Sequence, residues 1–339
     1  MRELLVALGA RPDHARYICY ARSRWERQLD ERFTWSLVPA PDPYWHARVA
    51  RAASGSCDVF LSSNSYLTVP LLRIPAVAIV YDLITFNPTM LPNRRSMAIE
   101  RLTLRAAVAR ANALVCISET TRRELIERYP AAAAKTTVAP LGVSPQLLAP
   151  AQSVAVDLPD AGFVLAVGTL EPRKNLPRLV GAYASLPETL QVAHPLVVVG
   201  ARGWRTGETL AALRGLRSRC IMLGAVSDAA LSELYRRCAV FAYPSLGEGF
   251  GLPVLEAMAA GAAVLTSDLQ VLHEVGGDAV EYVDPRSIAS IADGLRGLLE
   301  QPARRGQLGE LGRRRAAAFS WDSTAAVVMA ALESAAGRG

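Results

Sequence analysis

Residues Gly247-Glu248-Gly249-Phe250-Gly251-Leu252-Pro253-Val254-Leu255-Glu256 join a glycine-rich loop to the start of a helix. Gly249 and Gly251 let backbone approach a ligand closely, because they lack a Cβ and tolerate positive φ. Pro253 suits the first turn of a helix, where its missing N–H costs nothing. The helix that follows (Val254, Leu255, Ala257, Met258, Ala259, Ala260) turns free N–H groups and a positive dipole end toward the loop, which makes an anion site. Glu248 and Glu256 bracket that site. Taken alone, the stretch reads equally well as a helix with a solvated Glu in its first turn.

Its neighbours decide the matter. The run Val240–Pro244 precedes it and Ala263–Ser267 follows, both short and apolar, so strand, loop, helix and strand succeed one another. The same alternation continues upstream through strand candidates Phe163–Gly168, Leu196–Gly200 and Cys220–Leu223, and downstream to Val280–Val283. Helical patterns over 175–186, 209–216, 228–237 and 253–260 lie between them. Strands that alternate with helices make βαβ units and a parallel sheet. Ser227 and Asp228 form an N-cap signature for the third of these helices. The first half repeats the theme, with strands near 17–20, 35–38, 59–62, 77–81 and 114–117 and helices near 44–53, 95–110 and 119–129. Residues 140–160, rich in Pro, Ala and Gln without periodicity, read as an interdomain linker. Beyond Asp284-Pro285 the chain turns helical to its end. The expected architecture is α/β: an acceptor-side Rossmann-like domain over 1–150, a donor domain over 151–318, and a C-terminal helix over 319–339 that packs back on the first.

A chain of 339 residues exceeds one ordinary core, in keeping with two domains. No apolar run approaches the roughly 20 residues of a membrane span, and the start does not read as a signal peptide. Five cysteines (Cys19, Cys57, Cys116, Cys220, Cys238) without Cys-x-x-Cys spacing read as reduced thiols, so a cytoplasmic chain is expected, peripheral at most at the inner face of the membrane. Residues 1–150 carry 19 basic and 12 acidic side chains, a surplus of +7, against 18 and 19 in the remainder. A basic half suits anionic lipid or a phosphorylated acceptor. Nucleic acid ranks last, since no aromatic-interleaved basic groove or DNA-binding motif is present.

A second cluster, Gly168-Thr169-Leu170-Glu171-Pro172-Arg173-Lys174-Asn175, follows the strand Phe163–Val167. It therefore sits at the carboxyl end of a parallel strand, where open α/β sheets bind ligands. Gly168 permits a tight turn, and Arg173 and Lys174 offer a rigid fork and a mobile ammonium to a diphosphate. Only Lys135 and Lys174 are lysine among 37 basic residues, which argues against Lys174 being a generic surface charge.

These two clusters, with Val199-Gly200-Ala201-Arg202-Gly203-Trp204 and the continuation through Gly261, resemble the retaining glycosyltransferases of family 4, of the GT-B fold, and within them the bacterial mannosyltransferase-like branch that builds surface polysaccharide. GT-B implies two Rossmann-like domains with a cleft between them. The resemblance runs from about Ile18 to the C-terminus. It implies a nucleotide-sugar donor, GDP-mannose before a UDP-sugar, and a glycan or lipid-linked saccharide acceptor. Arg173 and Lys174 would neutralise the donor diphosphate in place of a metal, and no cofactor is expected. Glu256 would take the ribose hydroxyls, and Glu248 would lie near the transferred sugar. The amides of Gly249, Phe250, Gly251 and Leu252 would hold sugar and phosphate, and the base would lie near Val226. The departing phosphate oxygen would take the acceptor's proton on the same face, so no double-displacement nucleophile is named.

In the first half, Tyr81-Asp82-Leu83 stands where family members carry His-Asp-Leu at the sugar side. A tyrosine donates a hydrogen bond but does not titrate near neutral pH. Asp82 reads equally as a sugar ligand or a structural cap, and Ser118 as a helix cap or a cleft residue. His273 reads as packing. Arg94, Arg101 and Arg105, spaced by seven and four, share one helical face. The pattern departs from the family at its start: residues 1–8 read as the first helix and 17–21 as the second strand, with the family's first strand and glycine loop absent from the pattern. That departure keeps a rival open, a nucleotide-sugar-binding subunit that turns nothing over. A sugar-nucleotide epimerase is disfavoured by the pairing of the two clusters. A dehydrogenase is disfavoured because no Gly-x-Gly-x-x-Gly turn follows a strand.

Overall fold

Short β-branched and alanine-rich runs become strands wherever helices can cover both faces. The computed structural model of the chain describes residues 1–25, 29–63, 65–87, 94–148, 162–216 and 219–337. They form two units, one of residues 1–141 and 320–339, the other of residues 142–319.

The first unit opens in helix α1 (Arg2–Gly9), as the sequence pattern suggests, and continues through β1 (Tyr17–Ala21), β2 (Phe33–Leu37), α2 (Tyr44–Ser56), β3 (Phe60–Ser62), β4 (Ala76–Val80), α3 (Arg94–Arg110), β5 (Ala113–Cys116), α4 (Glu119–Arg128) and β6 (Thr136–Val138). Strands β3-β4-β5-β6 make one parallel sheet, while β1 and β2 pair with each other alone. Every residue of β4 is buried, as expected of a parallel strand covered on both faces. All five residues of β1, by contrast, remain half-buried. Its length and that of β3 line a cavity of about 1370 Å³. Strand β6 has no counterpart in the sequence reading; three residues are too few to show a period.

The second unit runs through α5 (Pro145–Leu148), β7 (Val164–Val167), α6 (Leu176–Ala184), α7 (Glu188–Ala193), β8 (Leu196–Val199), α8 (Gly207–Gly215), β9 (Cys220–Gly224), α9 (Asp228–Arg237), β10 (Val240–Tyr243), α10 (Leu252–Ala260), β11 (Val264–Ser267), α11 (Gln270–Gly276), β12 (Glu281–Val283), α12 (Ile288–Glu300) and α13 (Pro302–Ala316). All six strands are parallel, in the order β12-β11-β10-β7-β8-β9. The order reverses between β7 and β10, so their two carboxyl ends flank the crevice where such sheets bind ligands. All six strand expectations for this half are met within a residue or two. A buried core of Val164, Leu179, Tyr183, Leu196, Val198, Leu265, Ile291 and Leu295 lies between sheet and helices.

Helix α14 (Trp321–Ala335) returns to the first unit. Ser320 caps it by accepting a hydrogen bond from the Ser323 N–H, worth about 1 kcal/mol. Thr324 Oγ1 donates to the Pro140 carbonyl, and Ala325, Val328 and Met329 are buried. Among the described residues no helix is long and apolar enough to cross a membrane. Much of the expected linker, 149–160, lies outside the described residues, and α5 occupies part of what precedes it.

Candidate functional site

The loops after β7 and β10 are built to meet. Gly200 has φ +149, and a Cβ there would stand 2.0 Å from the Gly168 carbonyl oxygen, so only glycine lets the loops after β7 and β8 approach. Asn175 then takes the left-handed conformation, φ 59, that a short polar side chain tolerates. Its buried Nδ2 donates to the Pro244 carbonyl at 2.8 Å and to the Pro285 carbonyl at 2.7 Å. This one side chain ties together the loops after β7, β10 and β12. Sequence reading passed over it, although an Asn at the end of the Arg-Lys loop is a recognisable turn signal.

Arg173 and Lys174 converge on Glu248. Lys174 Nζ donates to Glu248 Oε1 at 2.9 Å, and the Arg173 guanidinium donates to Glu248 Oε2. Arg173 also donates to the Gly247 carbonyl at 3.0 Å and to Glu171 Oε1 at 2.7 Å. The Tyr243 hydroxyl donates to Glu248 Oε1 at 2.8 Å and accepts from Lys174, whose ammonium also lies 4.7 Å from the tyrosine ring centroid. Ser245 Oγ donates to the same carboxylate oxygen at 2.6 Å. Tyr243 and Ser245 are thus site residues that sequence reading did not name. Their signal was position: the last residue of a strand and the second after it, beside the loop already singled out.

Charge in this cluster is balanced, two cations against Glu171 and Glu248. Burial alone would push the Glu248 carboxyl up, but Lys174 and Arg173 outweigh it and hold the group below the ordinary carboxylate range. Burial pulls Lys174 down against the opposing pull of Glu248. Burial also opposes the charge of Arg173, and Glu248, Tyr243 and Glu171 more than compensate. Glu248 stays ionised and fully engaged, so it aims two cations and is no proton donor at neutral pH.

Beyond it, Gly251 caps α10 at φ 100, where a Cβ would stand 2.5 Å from Leu272 Cδ2. The described hydrogen bonds include none donated by the amides of Phe250, Gly251 or Leu252, which open the helix toward the loop. Glu256, one turn inside α10, behaves oppositely to Glu248. Burial pushes its carboxyl up to about 7, with Asp228 adding to the rise, against the Tyr235 hydroxyl that donates to Oε2 at 3.1 Å. Gly168 lies against the Lys174 side chain, and Val226 sits in the turn after β9, where Ser227 caps α9. Among the described residues no cluster of three or more His, Cys, Asp and Glu side chains is disposed to hold a metal ion.

In the first unit, Asp82 Oδ1 accepts from the Ile84 N–H at 3.0 Å. Ser118 is buried and caps α4, accepting from the Thr121 N–H at 3.0 Å. These are the capping alternatives. Burial raises the Tyr81 phenol to about 12, leaving it a neutral donor. His273 stacks on Tyr282 with ring centroids 3.8 Å apart, and its Nε2 hydrogen-bonds Asp268 Oδ1 at 2.6 Å.

The chain is similar to known proteins along most of its length. Residues 2–147 match the family model described as Glycosyltransferase Family 4, and residues 154–315 that described as Glycosyl transferases group 1. The chain is 33% identical over 274 residues to the O-antigen chain mannosyltransferase B of Escherichia coli, covering 78% of this chain and 71% of that protein. It is 33% identical over 334 residues to the serotype-specific mannosyltransferase WbdA of Escherichia coli, covering 87% of this chain but only 40% of that longer protein. Among solved structures, sucrose-phosphate synthase from Thermosynechococcus elongatus superposes with a TM-score of 0.79 at 20% identity, covering 97% of this chain and 90% of the other. WaaG, a glycosyltransferase involved in lipopolysaccharide biosynthesis, gives 0.72 at 22% identity, with 98% and 94% covered. The fold is GT-B.

Proposed function

The chain belongs to glycosyltransferase family 4, and from that premise we propose that it is a retaining, metal-independent hexosyltransferase that moves mannose from GDP-mannose to a glycan or lipid-linked saccharide in surface polysaccharide synthesis. One observation carries the reading: two cations, Arg173 and Lys174, are aimed by a buried carboxylate at the switch point of a parallel sheet, beside the amino-terminal end of α10. That arrangement suits a diphosphate leaving group. The mannose assignment is supported by the names of the two Escherichia coli relatives.

In the transfer, the bond from the sugar C1 to the phosphate oxygen breaks as the acceptor oxygen bonds to C1 on the same face. The acceptor's proton passes to the departing phosphate oxygen. Arg173 and Lys174 stabilise the charge that develops on the diphosphate, and the α10 amides add their dipoles. Glu248 holds the cations in place, and Glu256 takes the ribose hydroxyls. In this reading Tyr81 belongs to the acceptor side, Asp82 and Ser118 shape the turns beside it as caps, and transfer takes place in the cytoplasm at an anionic membrane.

The test is titration calorimetry of the purified chain with GDP, UDP and ADP in the presence of EDTA, followed by NMR of the product's anomeric configuration. Saturable GDP binding and an α-linked mannoside support the reading, since the donor is α-configured. An inverted product or selective UDP binding rejects the retaining or the GDP assignment. The separation of β1-β2 from the β3-β6 sheet favours a second reading, a binding subunit that is catalytically silent alone. GDP binding without turnover on any mannosyl acceptor would select it.

A further inference from the structure

The amides of Phe250, Gly251 and Leu252 can meet an anion only while no protein carbonyl takes them, so their own hydrogen bonds cannot fix the loop that carries them. Side chains must hold it instead, and two described contacts do so. Leu272 of α11 stands close against Gly251, 2.5 Å from where a Cβ would lie. The buried Phe250 ring meets Phe319, with centroids 5.9 Å apart and planes at 77°. This is an edge-to-face pair, whose attraction depends on angle as well as distance and therefore fixes orientation.

Phe319 reaches the loop because of how α13 lies. Gly309 and Gly312, three residues apart, share one helical face. A Cβ at Gly309 would stand 2.4 Å from the Gly261 carbonyl oxygen, and one at Gly312 would stand 3.3 Å from Met258 Cα. The two glycines thus let α13 lie directly against the carboxyl-terminal end of α10. Past Ala316 the chain tightens, and the Phe319 N–H donates to the Ala316 carbonyl at 3.0 Å. Phe319 is the last residue of the second unit. Arg315 clamps its ring. The guanidinium lies 5.0 Å from the Phe319 centroid, while Nη2 and Nε donate to the Glu274 and Val275 carbonyls at 2.6 and 3.2 Å, in the last turn of α11. Leu272 belongs to the same helix, so Arg315 ties the two contacts on the loop to each other.

We propose that Phe319 is a positioning residue for the donor: its ring, clamped by Arg315, orients the Phe250 loop so that the amides of Phe250, Gly251 and Leu252 face the diphosphate. The inference rests on the donor site of the functional reading above and adds to it a residue some 70 positions away in the chain. Phe319 is half-buried, so its replacement leaves no closed cavity and the fold survives. The test compares the full chain with Phe319→Leu, which keeps apolar bulk without a ring, Phe319→Tyr, which keeps the ring, and Arg315→Met. Titration calorimetry with GDP and with pyrophosphate reads the site, and hydrogen exchange of the peptide spanning 249–252 reads the loop without ligand. In Phe319→Leu the dissociation constant for both ligands rises about threefold to tenfold, the range an aromatic pair supplies. Exchange over 249–252 quickens while that of the buried strands β8 and β11 does not, donor KM rises, and kcat at saturating donor holds. Arg315→Met moves the same readouts in the same direction, and Phe319→Tyr restores wild-type values. Wild-type affinity and loop exchange in Phe319→Leu overturn the proposal. So does exchange that quickens equally across the second unit, which would make the ring a packing residue only. A wild-type chain that binds neither GDP nor pyrophosphate overturns the donor reading and this inference with it, whereas binding that is unchanged in Phe319→Leu overturns this inference alone.

Discussion

Replacing Glu256 by glutamine removes a carboxyl group that burial makes costly to ionise, and the consequence for stability can be worked through. The group titrates in the folded chain at about 7, against an ordinary value of 4.5. At about 1.36 kcal/mol per pH unit, the folded state disfavours the ionised form by roughly 3 kcal/mol. This is an upper figure, because the residue keeps partial exposure to water. The sign follows from proton counts. Below about pH 4.5 the carboxyl is protonated in both states and contributes no difference. Between about 4.5 and 7 the unfolded chain releases the proton while the folded chain keeps it, so stability falls as pH rises, and above 7 the loss is complete. The substituted amide has no charge to lose, and its carbonyl oxygen still accepts from Tyr235. Urea unfolding followed by circular dichroism at several pH values from 4.5 to 8.5, without nucleotide, measures the difference. The variant's advantage over wild type should grow by about 1 to 3 kcal/mol across that range and then level off. A difference that stays flat with pH would refute the buried, proton-holding carboxyl. GDP adds a second readout: in the proposed role of Glu256, ribose hydroxyls donate to its ionised form, so wild-type affinity should rise from pH 6 to 8, while that of Glu256→Gln is weaker and level.

Three further substitutions probe the same loops. Lys174→Ala leaves Glu248 with Arg173, Tyr243 and Ser245 and removes the mobile cation; kcat/KM for the donor should drop about a hundredfold or more, and unchanged kinetics would take Lys174 out of the site. Tyr243→Phe keeps the ring but deletes the hydroxyl that bridges Lys174 and Glu248; the expected result is a loss of about 1 to 3 kcal/mol in stability and a rise of about tenfold in donor KM, and wild-type values for both would show the bridge to be idle. Gly251→Ala forces a Cβ to within 2.5 Å of Leu272 Cδ2 at φ 100 and should cost about 2 to 4 kcal/mol in thermal or urea unfolding. Gly297→Ala, in the interior of α12 with open space around it, should instead gain up to about 1 kcal/mol, and equal effects at the two positions would contradict the geometric argument.

Much of this molecule was legible along the chain because the relevant information is local. A strand of four apolar residues between two turn signals, or Ser227-Asp228 ahead of an amphipathic stretch, declares itself within a dozen residues. The six strands of the second unit, the helix that opens at Leu252 and the Arg173–Lys174 loop follow from such patterns, and the strand ends mark where a ligand would sit. The sequence could not disclose which groups meet across some 70 residues. Lys174 and Glu248 are 74 positions apart, and Asn175 reaches a carbonyl 110 positions away. Only the parallel order that sets β10 beside β7 brings them together. Burial likewise exists only after packing. It is why two glutamates eight residues apart have opposite characters, Glu248 ionised between two cations and Glu256 holding its proton to about pH 7. The rotation of α3 belongs to the same class: spacing put three arginines on one side, but packing turned Arg101 inward and left Ile99 and Leu102 at the surface. Local periodicity thus determined the elements and the candidate loops, and long-range packing decided the partners, the charges and the exposed face.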